Sequence, residues 1–297
     1  MSTHILKIDH ENSQLRLDVY LTQTLPDVPS RTFVQKLIEA GKVLVNKKIV
    51  KANYKVVEGD EVFVDLVLPL KDQGLAGENI PLDIFYEDDS LLIINKPPGL
   101  LVHPANEKNV SGTLANALVH HCKSLSDFNE EVRPGIVHRL DRETSGLMVV
   151  AKDNQTHAKL AKQFEHHEIK KKYLALVEGE VQFDEGLIDA ALGRHPRYHD
   201  RQKISYEDVA KEATTFYRVV KRVKGKTLIA LFPQTGRTHQ LRIHMAHLGH
   251  SILGDEKYGK LNSFPRLALH AQSIGFVHPK TGKFVEFSSR PPKEFLI

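Results

Sequence analysis

Residues 135–147 read Gly-Ile-Val-His-Arg-Leu-Asp-Arg-Glu-Thr-Ser-Gly-Leu. An apolar pair, Ile136 and Val137, enters this stretch, and a longer apolar run, Leu147 to Val150, leaves it. The pattern predicts two strands with a charged loop between them. The loop carries His138, Arg139, Asp141, Arg142 and Glu143. Loops held between rigid strands are where catalytic groups tend to sit. Arginines flank Asp141 in sequence, which would hold its carboxylate ionised and oriented. Such a group is a nucleophile or base, or one half of a structural ion pair at a turn; charge alone does not separate the two.

The chain around this loop alternates between strand and helix signals. Upstream, strands are predicted at 82–86 and 91–94, broken by Lys96-Pro97-Pro98-Gly99, with a helix at 113–121. Downstream, Asp153 is placed to cap a long helix that buries Ala158, Leu160, Ala161 and Phe164. Strands follow at 173–177 and 188–192, then a hairpin of 214–220 with 227–232. A helix at 238–248, with Thr238 as a candidate cap, and closing strands at 267–277 and 284–287 complete the pattern. Many of these strands arrive as hairpins, which predicts an α+β fold with a mixed, mostly antiparallel sheet flanked by helices.

Residues 13–70 have a different character. Ser13 can cap a short helix bearing Leu15, Val19 and Tyr20; Ser30 can cap a second, with Phe33, Val34, Leu37 and Ile38 on one face and Gly41 ending it. Short strands are expected at 43–45, 49–50 and 61–68. Basic residues bunch here, including Arg16, Arg31, Lys36, Lys42, Lys47, Lys48, Lys51 and Lys55. A small basic helix-plus-strand module is a footprint for phosphates or a solvated basic face. Residues 71–81 are polar, contain Pro81 and Gly74, and are expected to link this module to a second domain at 82–297.

Four segments carry a family resemblance. HRLDRETSG at 138–146 resembles the signature of the RluA-type family of RNA pseudouridine synthases. Lys171-Lys172-Tyr173-Leu174-Ala175 and the run TGRTHQLRIH at 235–244 match further family segments in the expected order, and NKPPGLLVHP at 95–104 is similar to the segment that opens the catalytic domain. The likeness covers about residues 80–297. It implies an isomerase that breaks the glycosidic bond of a uridine within RNA, turns the uracil and rejoins it through carbon, without cofactor or metal. It implies that Asp141 is the catalytic aspartate, attacking the anomeric carbon or removing a ribose proton. Tyr173 would lie against the base, and Arg237 would pair with Asp141. Arg139 would enter the RNA helix where the target base has left, with His138 and Arg142 also expected to contact RNA. RLDVYL and SRTFVQKLIEAGKVLVN in the first module resemble the S4-type (alpha-L) RNA-binding domain. That implies RNA contacts at Arg16, Ser30, Arg31 and Lys36. An S4-type domain joined to an RluA-type domain implies large-subunit ribosomal RNA as substrate, with transfer RNA as the alternative. A non-catalytic RNA-binding scaffold is the competing class.

The bulk numbers permit this. The 297 residues are 41% hydrophobic and 26% charged, with 41 basic and 37 acidic residues giving a net charge of +4. That is ordinary for a two-domain globular chain with a polyanionic partner. One cysteine, Cys122, excludes an intrachain disulfide and suits a reducing, cytoplasmic setting. No run approaches a membrane span, the charged N-terminal stretch does not read as a secretory signal, and a monomer is expected. Other chemistries fit less well. Of His239, His244, His247 and His250, only His244 and His247 share a helical face, and no carboxylate or thiolate completes a metal set. Asp141 and Glu143 are too close in sequence for a glycosidase pair, and no phosphate-cradling glycine loop occurs.

Overall fold

Two continuous apolar runs, at 91–94 and 147–150, explain the core of the larger unit. In the computed structural model, which describes residues 3–25, 28, 31–66, 75–104, 111–122, 125–126, 134–260 and 264–295, the chain forms two compact units, Met1–Gln73 and Gly74–Ile297. No helix among the described residues is long and apolar enough to cross a membrane.

The smaller unit contains β1 (Thr3–Lys7), α1 (Leu17–Thr24), α2 (Arg31–Glu39), β2 (Val43–Val45), β3 (Lys48–Ile49) and β4 (Glu61–Asp65). Its sheet has the order β1-β4-β2-β3. Val34, Leu37 and Ile38 of α2 are buried against Leu17, Tyr20 and Leu21 of α1 and Val43, Val45, Val62 and Val64 of the sheet. The helix face is the expected one, with Phe33 only half-buried. β1 was not legible in the sequence, because its burial alternates weakly and charged residues surround it. Ser13 lies in a turn before α1 and caps nothing there; Arg16 occupies the capping position.

The larger unit runs β5 (Ile84–Glu87), β6 (Leu91–Lys96), α3 (Leu114–His121), β7 (Ser145–Ala151), α4 (Asn154–Glu165), β8 (Lys170–Glu178), β9 (Glu185–Asp189), β10 (Leu192–Arg194), β11 (Gln202–Ile204), β12 (Thr214–Val223), β13 (Lys226–Pro233), α5 (Gln240–His247), β14 (Leu269–Val277) and β15 (Phe284–Ser288). The main sheet has the order β5-β6-β7-β14-β8-β13-β12-β9, with β15 on β14. β7 and β14 run parallel; the other pairings are antiparallel, as expected. On β6 and β7, Leu92, Ile94, Met148 and Val150 pack with α3, while Leu91, Ile93, Leu147 and Val149 pack with α4. Both faces are covered, so both strands read as continuous apolar runs.

Several local expectations are corrected. Ile136 and Val137 make no strand; Ile136 forms a single bridge to Val150, and the chain then loops to β7. Asp153 does cap α4, its Oδ1 accepting the Thr156 N–H at 2.8 Å, but the helix buries Thr156, His157, Leu160 and Gln163. Residues 75–81 are fastened to the larger unit, not free between the two: Asn116 donates to Ala76 O at 2.9 Å, and Gly112 N–H donates to the Glu78 carboxylate at 3.0 Å. Residues 71–74 lie outside the described residues.

Gly146 positions the loop. Its φ of 120° lies where side chains are disfavoured, and a Cβ there would sit 2.3 Å from Ala271 O. That close approach joins β7 to β14 at the end of the loop that carries Asp141. Gly146→Ala is expected to cost about 2 kcal/mol of stability through strain and separation of the two strands. Urea unfolding checks this; an unchanged midpoint would show that β7 and β14 can part freely.

Candidate active site

The Asp141 loop, the start of β8, the loop before α5 and α5 itself line one cavity of about 540 Å³. Asp141, Arg139, Lys171, Tyr173, Arg237 and Arg242 all face it. The loop is shaped from within and from behind. Thr144 N–H donates to Asp141 O at 3.1 Å, closing a turn. Lys96, 1% exposed, donates its ammonium to Arg142 O (3.0 Å), Leu100 O (3.0 Å) and Pro97 O (2.8 Å). Gly99 N–H also donates to Arg142 O. The Asn95–Gly99 segment therefore braces the loop that carries the carboxylate, which is why the two motifs belong together.

Asp141 does not pair with either flanking arginine. Arg142 bonds Glu143 instead, at 2.6 Å, and Arg139 forms no ion pair among the described residues. The ionic partner is Arg242 of α5, with Nη1 3.4 Å from Asp141 Oδ2. Arg242 is locked in place by a two-pronged pair to buried Asp255, both contacts at 2.7 Å. Burial opposes the charge on Asp255, but the Arg242 bonds outweigh it and hold its carboxyl below the ordinary range.

The expected Asp141 partner, Arg237, is thus a correction. It is exposed at the cavity rim and donates Nε–H to Glu212 O at 3.0 Å. TGRTHQLRIH contains both arginines, and spacing alone does not say which one the helix aims inward. Thr238 does not cap α5 either; His239 holds that position. The turn is held by buried Gln240, which accepts from Thr235 Oγ1 and Arg237 N–H and donates to Thr214 O and Thr215 Oγ1.

Tyr173 on β8 is half-buried in the cavity wall. Burial, then the Asp141 charge, push its phenol well above the usual range, so it stays protonated. His138, expected to contact RNA, is half-buried in the cavity wall and is neutral. It accepts the Val149 N–H at 3.1 Å, stacks on Phe164 at 4.7 Å, and burial, with Lys171, brings it down to about 3. His244 is a core histidine, with Nδ1 on Thr215 Oγ1 and Nε2 on Ala190 O.

In the smaller unit, Arg16 and Arg31 are half-exposed but face inward electrostatically. Both donate to Asp18, which is fully buried and also accepts from Gln35 at 2.7 Å. Burial works against the Asp18 charge, but the bonds from Arg16, Gln35 and Arg31 hold its carboxyl far below the usual range. Much of their charge is therefore committed to the fold rather than offered to phosphate. Lys36 lies partly exposed on α2 and forms no ion pair among the described residues. Ser30 lies outside the described residues.

Comparison with known proteins places the chain in a family. A profile of the RNA pseudouridylate synthase family matches residues 90–247, and one of the S4 domain matches residues 15–62. The chain belongs to the RNA pseudouridylate synthase family. It is 44% identical over 286 residues to an uncharacterized RNA pseudouridine synthase of Bacillus subtilis, covering 96% of this chain and 93% of that one. It is 39% identical over 310 residues to the ribosomal large subunit pseudouridine synthase D of Zymomonas mobilis, covering 100% and 96%. The solved structure of human RNA pseudouridylate synthase domain containing 1 superposes with a TM-score of 0.59 at 26% identity, over 72% of this chain and 85% of that one. The resemblance read from HRLDRETSG is borne out, and this pseudouridine synthase is an RNA-modifying isomerase with an S4 domain.

Lys171 gives the synthase a pH signature. Burial brings its ammonium down to about 8, and it faces the same cavity. A cation with that pKa is charged below pH 8 and neutral above it. RNA affinity is therefore expected to fall by up to about tenfold from pH 7 to 9, as the charged fraction of this contact drops from roughly nine-tenths to one-tenth. Lys171→Met should flatten that limb in a binding titration; an unchanged slope would place the effect elsewhere. Lys96, also brought down to about 8 by burial, lies behind the loop, so its titration reads out in turnover.

Proposed function

We propose that this enzyme converts uridine to pseudouridine in large-subunit ribosomal RNA, with Asp141 as the reacting carboxylate. The substrate assignment rests on the full-length similarity to the synthase D of Zymomonas mobilis and of Nitrosomonas europaea, whose names specify the ribosomal large subunit. The assignment of Asp141 rests on the Asp141–Arg242 pair on the wall of a cavity rimmed by Arg139, Lys171 and Arg237.

In this reading a uridine leaves the RNA stack and enters the cavity, which excludes water from the reacting bond. The rim cations take the phosphates on either side. Tyr173 lies against the base with its proton in place. Arg242 contacts Oδ2 of Asp141, and Oδ1 accepts no hydrogen bond among the described residues. The open oxygen is the one that meets the ribose. Arg242 orients the carboxylate and places a cation beside it, an arrangement that serves both attack on the anomeric carbon and removal of a ribose proton.

The test is to incubate the purified enzyme with unmodified ribosomal RNA and, separately, with transfer RNA, and to map carbodiimide-dependent stops of reverse transcription. Stops at discrete uridines in the large-subunit RNA support the assignment. Stops in transfer RNA alone overturn the substrate class.

A further inference from the structure

We propose that Tyr258 holds His239 in its Nε2–H form, and that His239 presents this N–H to Oδ2 of Asp141 as a positioning donor beside Arg242. The proposal rests on the reading of Asp141 as the reacting carboxylate.

The backbone supplies the first observation. His239 has φ 58° and ψ 16°, a left-handed conformation that a residue with a Cβ adopts at a cost on the order of 1 kcal/mol. No glycine is used, although the helix could start with one. The conformation places the imidazole between two groups. Nε2 lies 4.0 Å from Asp141 Oδ2, and Nδ1 lies 2.8 Å from Tyr258 Oη.

The hydrogen-bond inventory then decides the tautomer. Tyr258 Oη already accepts the Gln202 N–H of β11 at 2.9 Å. Among the described residues its own O–H has no acceptor other than His239 Nδ1. A partly buried phenol that donated nowhere would forfeit a hydrogen bond. Tyr258 therefore donates, Nδ1 accepts, and the ring proton sits on Nε2. The Asp141 carboxylate on that side favours the same arrangement. Burial, opposed by the Asp141 charge and aided by Arg242 and Lys257, lowers the histidine below its ordinary range, so the ring is neutral.

The 4.0 Å gap exceeds a hydrogen bond. Substrate entry that moves Asp141 by about 1 Å closes it, in the manner of catalytic bonds that tighten only in the complex. Oδ2 is then held by a cation and a neutral donor, and Oδ1 alone is left to the ribose. Tyr258 in turn carries the Arg242 guanidinium over its ring face at 5.3 Å, so one side chain orients both partners of Oδ2. The β10–β11 hairpin, which the sequence did not show, is what fixes Tyr258.

The experiment combines four variants with histidine-labelled nuclear magnetic resonance of the intact protein. Asparagine accepts left-handed backbone and has no group at the Nε2 position, so His239→Asn is expected to fold normally. Its kcat should fall about 30-fold with KM within about twofold, inside the 10–100-fold range for groups that orient an active residue. His239→Gln carries an N–H near the Nε2 position and should recover most of that loss. The His239 ring, assigned by its absence in His239→Asn, should show Nε2–H nitrogen and carbon shifts, and Tyr258→Phe should convert it to a tautomer mixture. An Nδ1–H ring in the wild type overturns the proposal. So does a wild-type kcat in His239→Asn while Asp141→Asn is inactive. Activity in Asp141→Asn removes instead the reading on which the proposal rests.

Discussion

Asp141→Asn is expected to abolish pseudouridine formation, by at least roughly 10⁴-fold, as loss of a nucleophile or essential base does in other enzymes. The amide keeps the shape of the carboxylate but neither attacks carbon nor takes a proton. Fold and affinity should survive. Arg242 keeps its two bonds to Asp255, so no buried cation is stranded. The change sits on a partly exposed loop whose brace, Lys96 on Arg142 O, is untouched. The check is carbodiimide mapping of the variant beside RNA binding and urea unfolding. Retained binding with no modification assigns the chemistry to Asp141 and rejects a non-catalytic scaffold. Full modification removes Asp141 from the mechanism.

Arg242→Met should have two separable effects. It strands the Asp255 carboxylate, 1% exposed, with the Lys257 and Tyr258 N–H groups as its remaining donors among the described residues. Breaking a buried pair from one side costs about 3–5 kcal/mol. It also removes the cation from Asp141 Oδ2, which should lower kcat on the order of 100-fold even in folded protein. The double variant Arg242→Met with Asp255→Leu tells the two apart. Replacing both charges should recover most of the stability, because no buried carboxylate remains unpaired. Activity should not return. Recovery of activity with stability would mean that Arg242 serves only the fold. Arg242→Lys should fall between, since an ammonium cannot reproduce the two-pronged contact.

Much of the molecule was legible in the chain. HRLDRETSG placed the Asp141 carboxylate on a loop because its charges lie between apolar runs that must be buried. The α2 face was legible because Val34, Leu37 and Ile38 recur at helical spacing, and the α4 start because Asp153 precedes it. The continuous apolar stretches at 91–94 and 147–150 announced strands, and the fold covers both of their faces. All of these are local patterns, and local patterns follow from the periods of helix and strand.

What the tertiary structure decided is which distant groups meet. Two arginines, Arg237 and Arg242, stand five positions apart in one motif; only the packing of α5 on Asp255 aims the second at Asp141. His138 reads as a loop cation until the fold stacks it on Phe164 and gives its nitrogen to Val149. Arg16 and Arg31 read as phosphate contacts until Asp18 gathers them. β1, the β10–β11 hairpin and the Tyr258–His239 contact have no local period to reveal them. Sequence determined most of the helices and buried strands and the family, because these follow from spacing and motif. The partners of the Asp141 carboxylate depend on side chains about 100 residues away, set by contacts that no single stretch contains.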